Sequence, residues 1–212
     1  MSEGSIYPNR RIAGKLLAEK LASIIEGKAV ILSLPRGGTI VGAEVAKTLN
    51  AEHHLVICRK IGAPYNPEIA VGAVTQNGKL IKDDVLIDTL AVTRGYLESQ
   101  AELELKEIKR QLREYKDEKE FPDLKNKAVV IVDDGLATGF TMAAAVEFIC
   151  SMKPSRIIVA VPVGSAEAIA KIRPLVDHII CPLVPEKFSA VGQFYQNFHQ
   201  VNDEEVKKIF KG

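Results

Sequence analysis

The chain has 212 residues, and its 28 lysines and arginines balance 27 aspartates and glutamates to a formal net charge of +1. This balance disfavours a dedicated binder of nucleic acids or membrane surfaces, because long-range attraction to polyanions needs excess positive charge. No apolar run approaches the ~20 residues that span a bilayer, and the N-terminus lacks the basic and apolar stretches of a secretory signal. With 47% hydrophobic residues, the sequence predicts a compact cytoplasmic domain.

The first part of the chain alternates helices and strands. Asn9 can cap a helix whose apolar residues recur at helical spacing until a stop at Gly27. Apolar strands are predicted at 29–34 and 55–58, with a Pro-Arg-Gly-Gly turn and a helix at 39–49 between them. Continuous apolar runs of this length are typical of strands that are buried on both faces.

A hairpin and a long helix come next. The segments 70–75 and 79–82 flank Asn77-Gly78, the preferred pair for a tight hairpin turn because both positions need positive φ. Across 97–120, apolar residues step by four and three through charged sequence. This spacing predicts a helix with one apolar stripe packed on the core, rather than a coiled-coil module, because the repeat is short.

The second part of the chain continues the alternation. Strands are predicted at 127–134, 156–161 and 177–181, and helices at 142–152 and 166–172. Strands that alternate with helices imply an α/β fold, here a mainly parallel five-stranded sheet flanked by helices.

The whole chain is predicted to form a single domain over residues 1–212. Its core covers about 28–182, an inserted hairpin and long helix cover about 70–120, and a small aromatic-rich hood covers about 183–212.

The three cysteines, Cys58, Cys150 and Cys181, lie far apart in apolar stretches. Buried free thiols are therefore favoured over a disulfide, a zinc site or a nucleophile. The four histidines show no metal-ligand spacing with these cysteines. The chemistry is expected to rest on other side chains.

The strand end at 132–141 carries the strongest functional signal. An apolar strand delivers Asp133 and Asp134, and a short turn of small residues then opens a helix. Backbone N–H groups of such a turn form an anion cradle suited to a phosphate, to which Thr138 and Thr141 add hydroxyl donors. Two carboxylates would repel that phosphate, so sugar hydroxyls are their natural partner. The segment predicts a site for a sugar phosphate.

This segment is neither a Walker loop nor a dinucleotide fingerprint, because it lacks their glycine and lysine spacing. It closely resembles the phosphoribosyl diphosphate signature of type I phosphoribosyltransferases, whose alternative here is an ordinary strand–turn–helix with a capping threonine. The resemblance covers about residues 28–200, and it is closest to a branch of standalone, poorly characterised domains with Ser-Leu-Pro-Arg-Gly-Gly and Asp-Asp-Gly-x-Ala-Thr-Gly motifs.

The resemblance assigns roles to this loop. Asp133 and Asp134 would be catalytic, holding the ribose hydroxyls and orienting Mg²⁺ indirectly through those hydroxyls or water. The residues implied to anchor the 5′-phosphate are Ala137, Thr138, Gly139, Phe140 and Thr141.

Two other strand ends fit the same resemblance. Arg36, Gly37 and Gly38 follow the first strand, where family members bind the diphosphate, often through a strained peptide that Arg36-Gly37 would supply. Arg59 and Lys60 follow the second strand and resemble cations that neutralise the leaving diphosphate. The alternative for this pair is a surface charge pair.

The remaining family features are a cover and a hood. The hairpin and segment 79–94 occupy the place of the cover that excludes water, but the long helix is a departure from the commonest members. Arg94 is a possible contact of that cover, and Glu68 receives no role. In the hood, Phe188 or Tyr195 would stack on a base, or both would simply pack the tail onto the sheet.

The resemblance implies a Mg²⁺-dependent phosphoribosyltransferase that moves the phosphoribosyl group from phosphoribosyl diphosphate to a nucleobase or related nitrogen acceptor and releases diphosphate. Its partners would be these two small molecules, with a homo-oligomer possible and neither nucleic acid nor membrane expected. The alternative is a non-catalytic regulator of the same fold that binds phosphoribosyl diphosphate or a nucleotide. A sugar-phosphate phosphatase is disfavoured, because it would need an aspartate nucleophile or a metal cluster in this loop.

Overall fold

The computed structural model describes residues 7–25, 27–115 and 121–211. Its main sheet has five parallel strands in the order β2-β1-β6-β7-β8. These strands are β1 (Ala29–Ser33), β2 (Glu52–Leu55), β6 (Ala128–Val132), β7 (Arg156–Ala160) and β8 (His178–Ile180). The predicted five-stranded parallel sheet is confirmed.

Helices cover both faces of this sheet, and alternate residues of each strand explain why. Ile31 of β1 packs with the first two helices, whereas its neighbour Leu32 packs with the fifth and sixth. Side chains alternate between faces along a strand, so both faces are apolar only when the run is continuously apolar. The four helices are α1 (Arg10–Ala22), α2 (Gly37–Leu49), α5 (Phe140–Cys150) and α6 (Ala166–Ile172).

A smaller antiparallel sheet lies beside the main one and corrects the prediction of a strand at 55–58. Its strands are β3 (Cys58–Ala63), β4 (Asn66–Thr75) and β5 (Leu80–Lys82). The main-sheet strand ends at Leu55, because the Ile57 N–H donates to the Gln76 side chain (3.1 Å) and the chain turns away. The predicted hairpin turn is present, with Gly78 at a φ of 84°.

Three further α-helices are α3 (Asp84–Thr89), α4 (Arg94–Tyr115) and α7 (Asp203–Lys211), and short 3-10 helices lie at Arg173–Leu175 and Val191–Phe194. The predicted stripe of α4 is confirmed, since Ile108 and Tyr115 are buried against the small sheet and Val206 of α7. Residues 116–120 of the predicted long helix lie outside the described residues.

The C-terminal helix α7 was not predicted, although the sequence holds a signal for it. The Asn202 side chain accepts from the Glu205 N–H (2.9 Å), and the Glu205 side chain accepts from the Asn202 N–H (3.0 Å). This reciprocal pair is a capping box, which is readable as Asn-x-x-Glu before an apolar run.

The three cysteines are free, but the prediction that all are buried is wrong for Cys150. Cys58 is buried and Cys181 is half-buried, whereas Cys150 is exposed at the last position of α5. Its neighbour Ile149 is buried. Consecutive helical residues point about 100° apart, so an apolar neighbourhood in sequence does not bury every member. In the described ranges, no helix is long and apolar enough to cross a membrane.

Candidate active site

The acidic pair and the glycine turn meet at the carboxyl edge of the main sheet. Adjacent strands β1 and β6 end in register, and a Cβ on Gly37 would lie 1.9 Å from Asp134 Oδ2. A Cβ on Gly38 would lie 2.8 Å from both the Cα and Oδ1 of Asp133. Only glycine allows this approach, so the two motifs form one site. The peptide bond between Pro35 and Arg36 is cis, one residue before the peptide singled out above.

Both carboxyl groups are largely removed from solvent. The Asp134 N–H donates to Asp133 Oδ1 (2.8 Å). Burial raises the pKa of Asp133 well above its ordinary value, and the neighbouring Asp134 carboxylate raises it further. Burial also raises the pKa of Asp134, against the opposing effect of a nearby arginine. The pair therefore holds a proton more readily than exposed carboxylates do.

That arginine is Arg10, a site residue that sequence reasoning missed. Its Nε donates to Asp134 Oδ2 (2.7 Å), its Nη1 donates to the His199 carbonyl oxygen (2.9 Å), and its guanidinium lies 3.8 Å from the Phe198 ring centroid. Arg10 is 6% exposed and joins the first helix, the acidic pair and the C-terminal segment. A signal was available, because position 10 shares the buried face of α1 with Ala13 and Leu17.

The hood packs against the same acidic pair. The Tyr195 hydroxyl donates to the Asp134 carbonyl oxygen (2.5 Å), and Tyr195 is 5% exposed. Val191 covers Gly135 so closely that a Cβ there would lie 2.4 Å from Val191 Cγ1. Phe188 stacks on Phe194 with ring centroids 5.5 Å apart. In this arrangement Tyr195 packs the tail onto the sheet, and its ring is not open to a base.

The predicted phosphate loop is open to solvent at its first two residues, whereas Gly139 is buried. Ala137 and Thr138 are exposed, and Gly139 has a φ of 79° just before α5 begins at Phe140. Ser165 stabilises the loop, because its hydroxyl donates a hydrogen bond to the Ala137 carbonyl oxygen (2.7 Å). The first N–H groups of a helix have no intrahelical partner, so this loop and helix start can receive an anion.

A lysine stands beside this cradle. Lys171 Nζ lies 3.1 Å from the Phe140 ring centroid, and burial lowers the pKa of the Lys171 amine. Thr141 is half-buried on the first turn of α5. The residues of the loop named from the sequence are therefore together at one edge, with an additional cation nearby.

Of the three side chains predicted to neutralise the diphosphate, Arg36 and Arg59 line one cleft and Lys60 lies outside it. Arg36 and Arg59 line a polar cleft of about 450 Å³ that also receives residues from α4 and α7. Arg59 pairs with Glu104, and Arg36 Nη1 lies 3.7 Å from Asp203 Oδ1. Lys60, the next residue of β3, is exposed and is absent from the described residues that line this cleft.

The predicted cover region is ordered against the core. The Lys79 amine pairs with Glu147 of α5 (2.5 Å), and a smaller cleft of about 270 Å³ separates the hairpin from Phe140 and Lys171. Arg94 begins α4 and pairs with Glu98 (2.7 Å) at an exposed position. Glu68 lies in β4, but its side chain falls outside the described residues.

The phosphoribosyl transferase domain family matches residues 3–198. The chain belongs to this family. It is 34% identical over 201 residues to a protein of Mycobacterium tuberculosis named "Putative phosphoribosyl transferase". That alignment covers 95% of the chain but only 45% of the relative, so the chain spans less than half the length of the curated relatives it matches.

Solved structures agree with the fold. The crystal structure of TT1426 from Thermus thermophilus is 38% identical, with a TM-score of 0.84 and 97% of each chain covered. A hypoxanthine phosphoribosyltransferase of Staphylococcus aureus is 13% identical, with a TM-score of 0.51 over 89% of this chain and 80% of that one. The second likeness is evidence of shared fold alone.

Proposed function

We propose that the protein is a phosphoribosyltransferase that moves the phosphoribosyl group from phosphoribosyl diphosphate to a nitrogen base and releases diphosphate. One observation carries the proposal: the partly buried pair Asp133 and Asp134 lies directly against Gly37 and Gly38, where β1 and β6 end side by side. Ligands of parallel sheets bind at such carboxyl edges. A phosphate cradle on one side and a polar, arginine-lined cleft on the other suit a sugar that carries phosphates at two ends.

In this proposal, different residues of the chain bind different parts of the substrate. Asp133 and Asp134 accept hydrogen bonds from the ribose hydroxyls, and the loop 137–141 holds the 5′-phosphate with backbone N–H groups and the Thr138 and Thr141 hydroxyls. Arg36 and Arg59 place fixed positive charge where the diphosphate gains negative charge as it leaves, and Lys60 follows Arg59 on β3. Fixed charge of this kind stabilises a transition state without reorganisation.

The acidic pair also fits a substrate-borne Mg²⁺. No group of three or more acidic, histidine or cysteine side chains that could hold a metal occurs in the described parts of the chain. Mg²⁺ commonly keeps several waters and binds through one or two carboxylates plus substrate phosphates, which suits this pair of carboxyl groups. Asp133 and Asp134 would hold the ion through ribose hydroxyls or water, and the ion would offset the charge on the diphosphate.

A second candidate is a non-catalytic binder of phosphoribosyl diphosphate or a nucleotide. It is favoured by the pairing of Arg36 with Asp203 and of Arg59 with Glu104, because these carboxylates partly neutralise the charge that catalysis would need at the leaving diphosphate. Catalytic turnover distinguishes the two candidates.

The experiment is titration of the protein with phosphoribosyl diphosphate and Mg²⁺, followed by measurement of diphosphate release over a panel of nucleobases. Thr138→Val removes a loop hydroxyl and should weaken binding about 3- to 10-fold. The matched control is Thr48→Val at an exposed position of α2, which should bind as the wild type does. Binding with turnover supports the enzyme, and binding without turnover on any base supports the regulator. Absence of binding to the wild type rejects both.

A further inference from the structure

One side of the polar cleft is formed by α4 and α7, two helices that lie outside the phosphoribosyl diphosphate signature at 132–141. Pro35 and Arg36 come from the end of β1, and Cys58 and Arg59 come from the start of β3. The long helix α4 and the C-terminal helix α7 close the other side, and the residues they contribute are Glu107, Arg110, Gln111 and Asp203. The cleft therefore joins the predicted diphosphate turn to helices whose contribution no motif assigns.

Gln111 is the first sign that this wall can bind a ligand. It is 8% exposed and lines the cleft together with Arg110. A side-chain amide carries two N–H donors, so it can donate to an anion that is bound in the same cleft as the arginine.

Asp203 is the second sign. Its Oδ1 lies 3.7 Å from Arg36 Nη1 and accepts from the Tyr115 hydroxyl (2.5 Å), while its Oδ2 lies 3.5 Å from Arg110 Nη2. The two arginines come from opposite walls of the cleft and converge on one carboxylate. Guanidinium groups bind carboxylates and phosphates with the same geometry. Asp203 thus occupies a place that a phosphate oxygen would fill.

The two distances to the arginines are long for hydrogen bonds, so the arginines hold Asp203 only weakly and its close contact is the hydrogen bond from Tyr115. Contacts of 3.5–3.7 Å between partly exposed ions are worth little in water-accessible surroundings. Arg110 is held more closely by Glu107 (2.7 Å) and by Glu114, both on its own helix. A doubly charged phosphate group would therefore compete well with Asp203 for Arg36 and Arg110.

We propose that Arg110 and Gln111 of α4 bind the terminal phosphate of a diphosphate group opposite Arg36, and that Asp203 of α7 takes this place when the group is absent. The inference rests on the proposed function, since the ligand is the diphosphate end of that substrate. Anion binding exchanges one carboxylate for a phosphate at the same two arginines. The added helices thereby become part of substrate recognition.

The test measures affinity for two probes, inorganic diphosphate and ribose 5-phosphate, in the full chain. Arg110→Gln should weaken diphosphate binding about 10-fold or more, the effect of one charged hydrogen bond, and leave ribose 5-phosphate binding unchanged. Arg113→Gln removes the same charge from an exposed position of α4 and should alter neither affinity. Equal affinities in these two variants overturn the inference.

Asp203→Asn provides a test with the opposite sign. It keeps the size and much of the hydrogen bonding of the side chain but removes the competing charge, so diphosphate should bind several-fold more tightly. A purely structural role for Asp203 predicts weaker binding of both probes, which would overturn the inference. If Arg110→Gln does not fold, Gln111→Leu replaces it, with a several-fold loss of diphosphate affinity expected and an unchanged affinity counting against the inference.

The outcomes separate this inference from the proposed function. Wild-type binding of phosphoribosyl diphosphate with no effect of Arg110→Gln rejects the role of α4 and leaves the function standing. Diphosphate binding that depends on Arg110, without binding of phosphoribosyl diphosphate, supports the cleft and rejects the function. A wild type that does not bind diphosphate rejects the cleft assignment.

Discussion

The buried ion pair between Arg10 and Asp134 should contribute strongly to stability, and Arg10→Met tests this directly. The side chains are 7% and 15% exposed, and the bond from Nε to Oδ2 is 2.7 Å. Removal of one partner from a buried pair leaves an uncompensated charge, which typically destabilises by about 3–5 kcal/mol. Urea unfolding at pH 7 should therefore show a loss of this size in Arg10→Met.

The pH dependence of this loss identifies its cause. Burial raises the pKa of Asp134 and Arg10 opposes that rise, so without Arg10 the carboxyl group becomes protonated at a higher pH. A neutral acid needs no cation, and the loss should be smaller at pH 5 than at pH 7. Arg10→Met combined with Asp134→Asn should recover a large part of the stability, because both charges are then absent.

The control for this series is Lys15→Met, which removes one charge from an exposed position of the same helix. It should change the free energy of unfolding by no more than about 0.5 kcal/mol. If Arg10→Met has an equally small effect, or if the double substitution is simply additive, the reasoning about the buried pair is refuted.

Three other predictions concern the acidic pair, the glycine turn and the cysteines. Burial raises the pKa of Asp133 above its unfolded value, so the charged form of Asp133 destabilises the native state as pH rises. Asp133→Asn should therefore stabilise the protein in thermal melts at pH 7, and this gain should vanish below about pH 4, where the aspartate is protonated in both states. Gly37→Ala should destabilise by about 1–3 kcal/mol through overlap with Asp134, whereas Gly95→Ala, with nothing within 4 Å, should stabilise by up to about 1 kcal/mol in urea unfolding. Cys150 should react first with a thiol reagent, because burial raises the pKa of each of the other two thiols to about 12; equal rates in a time course would contradict this.

The main sheet could be predicted from the sequence because its strands are continuous apolar runs. The same criterion misplaced the strand at 55–58, where one apolar run serves two sheets. Leu55 ends β2 and Cys58 begins β3, and the change of sheet is set by a side chain distant in sequence, Gln76. Hydrophobicity alone does not record which sheet a buried strand joins.

The candidate site, too, could be predicted from the sequence only in part. Its loop residues were predictable because they are contiguous and lie at a strand end, as with Asp133, Asp134 and Thr138. Arg10 and Asp203 come from the two ends of the chain and reach the site only through packing of α1 and α7. A charged residue on the buried face of α1 was the available signal for Arg10, whereas nothing in the sequence pairs Asp203 with Arg36.

The most direct test of the account is amide hydrogen exchange measured with and without phosphoribosyl diphosphate and Mg²⁺. If the substrate binds at this edge of the sheet, exchange should slow in peptides covering 133–141 and 36–38, with little change in the last turn of α2. Protection confined to other parts of the chain, under conditions in which the ligand is bound, would contradict the placement of the substrate at this edge of the sheet.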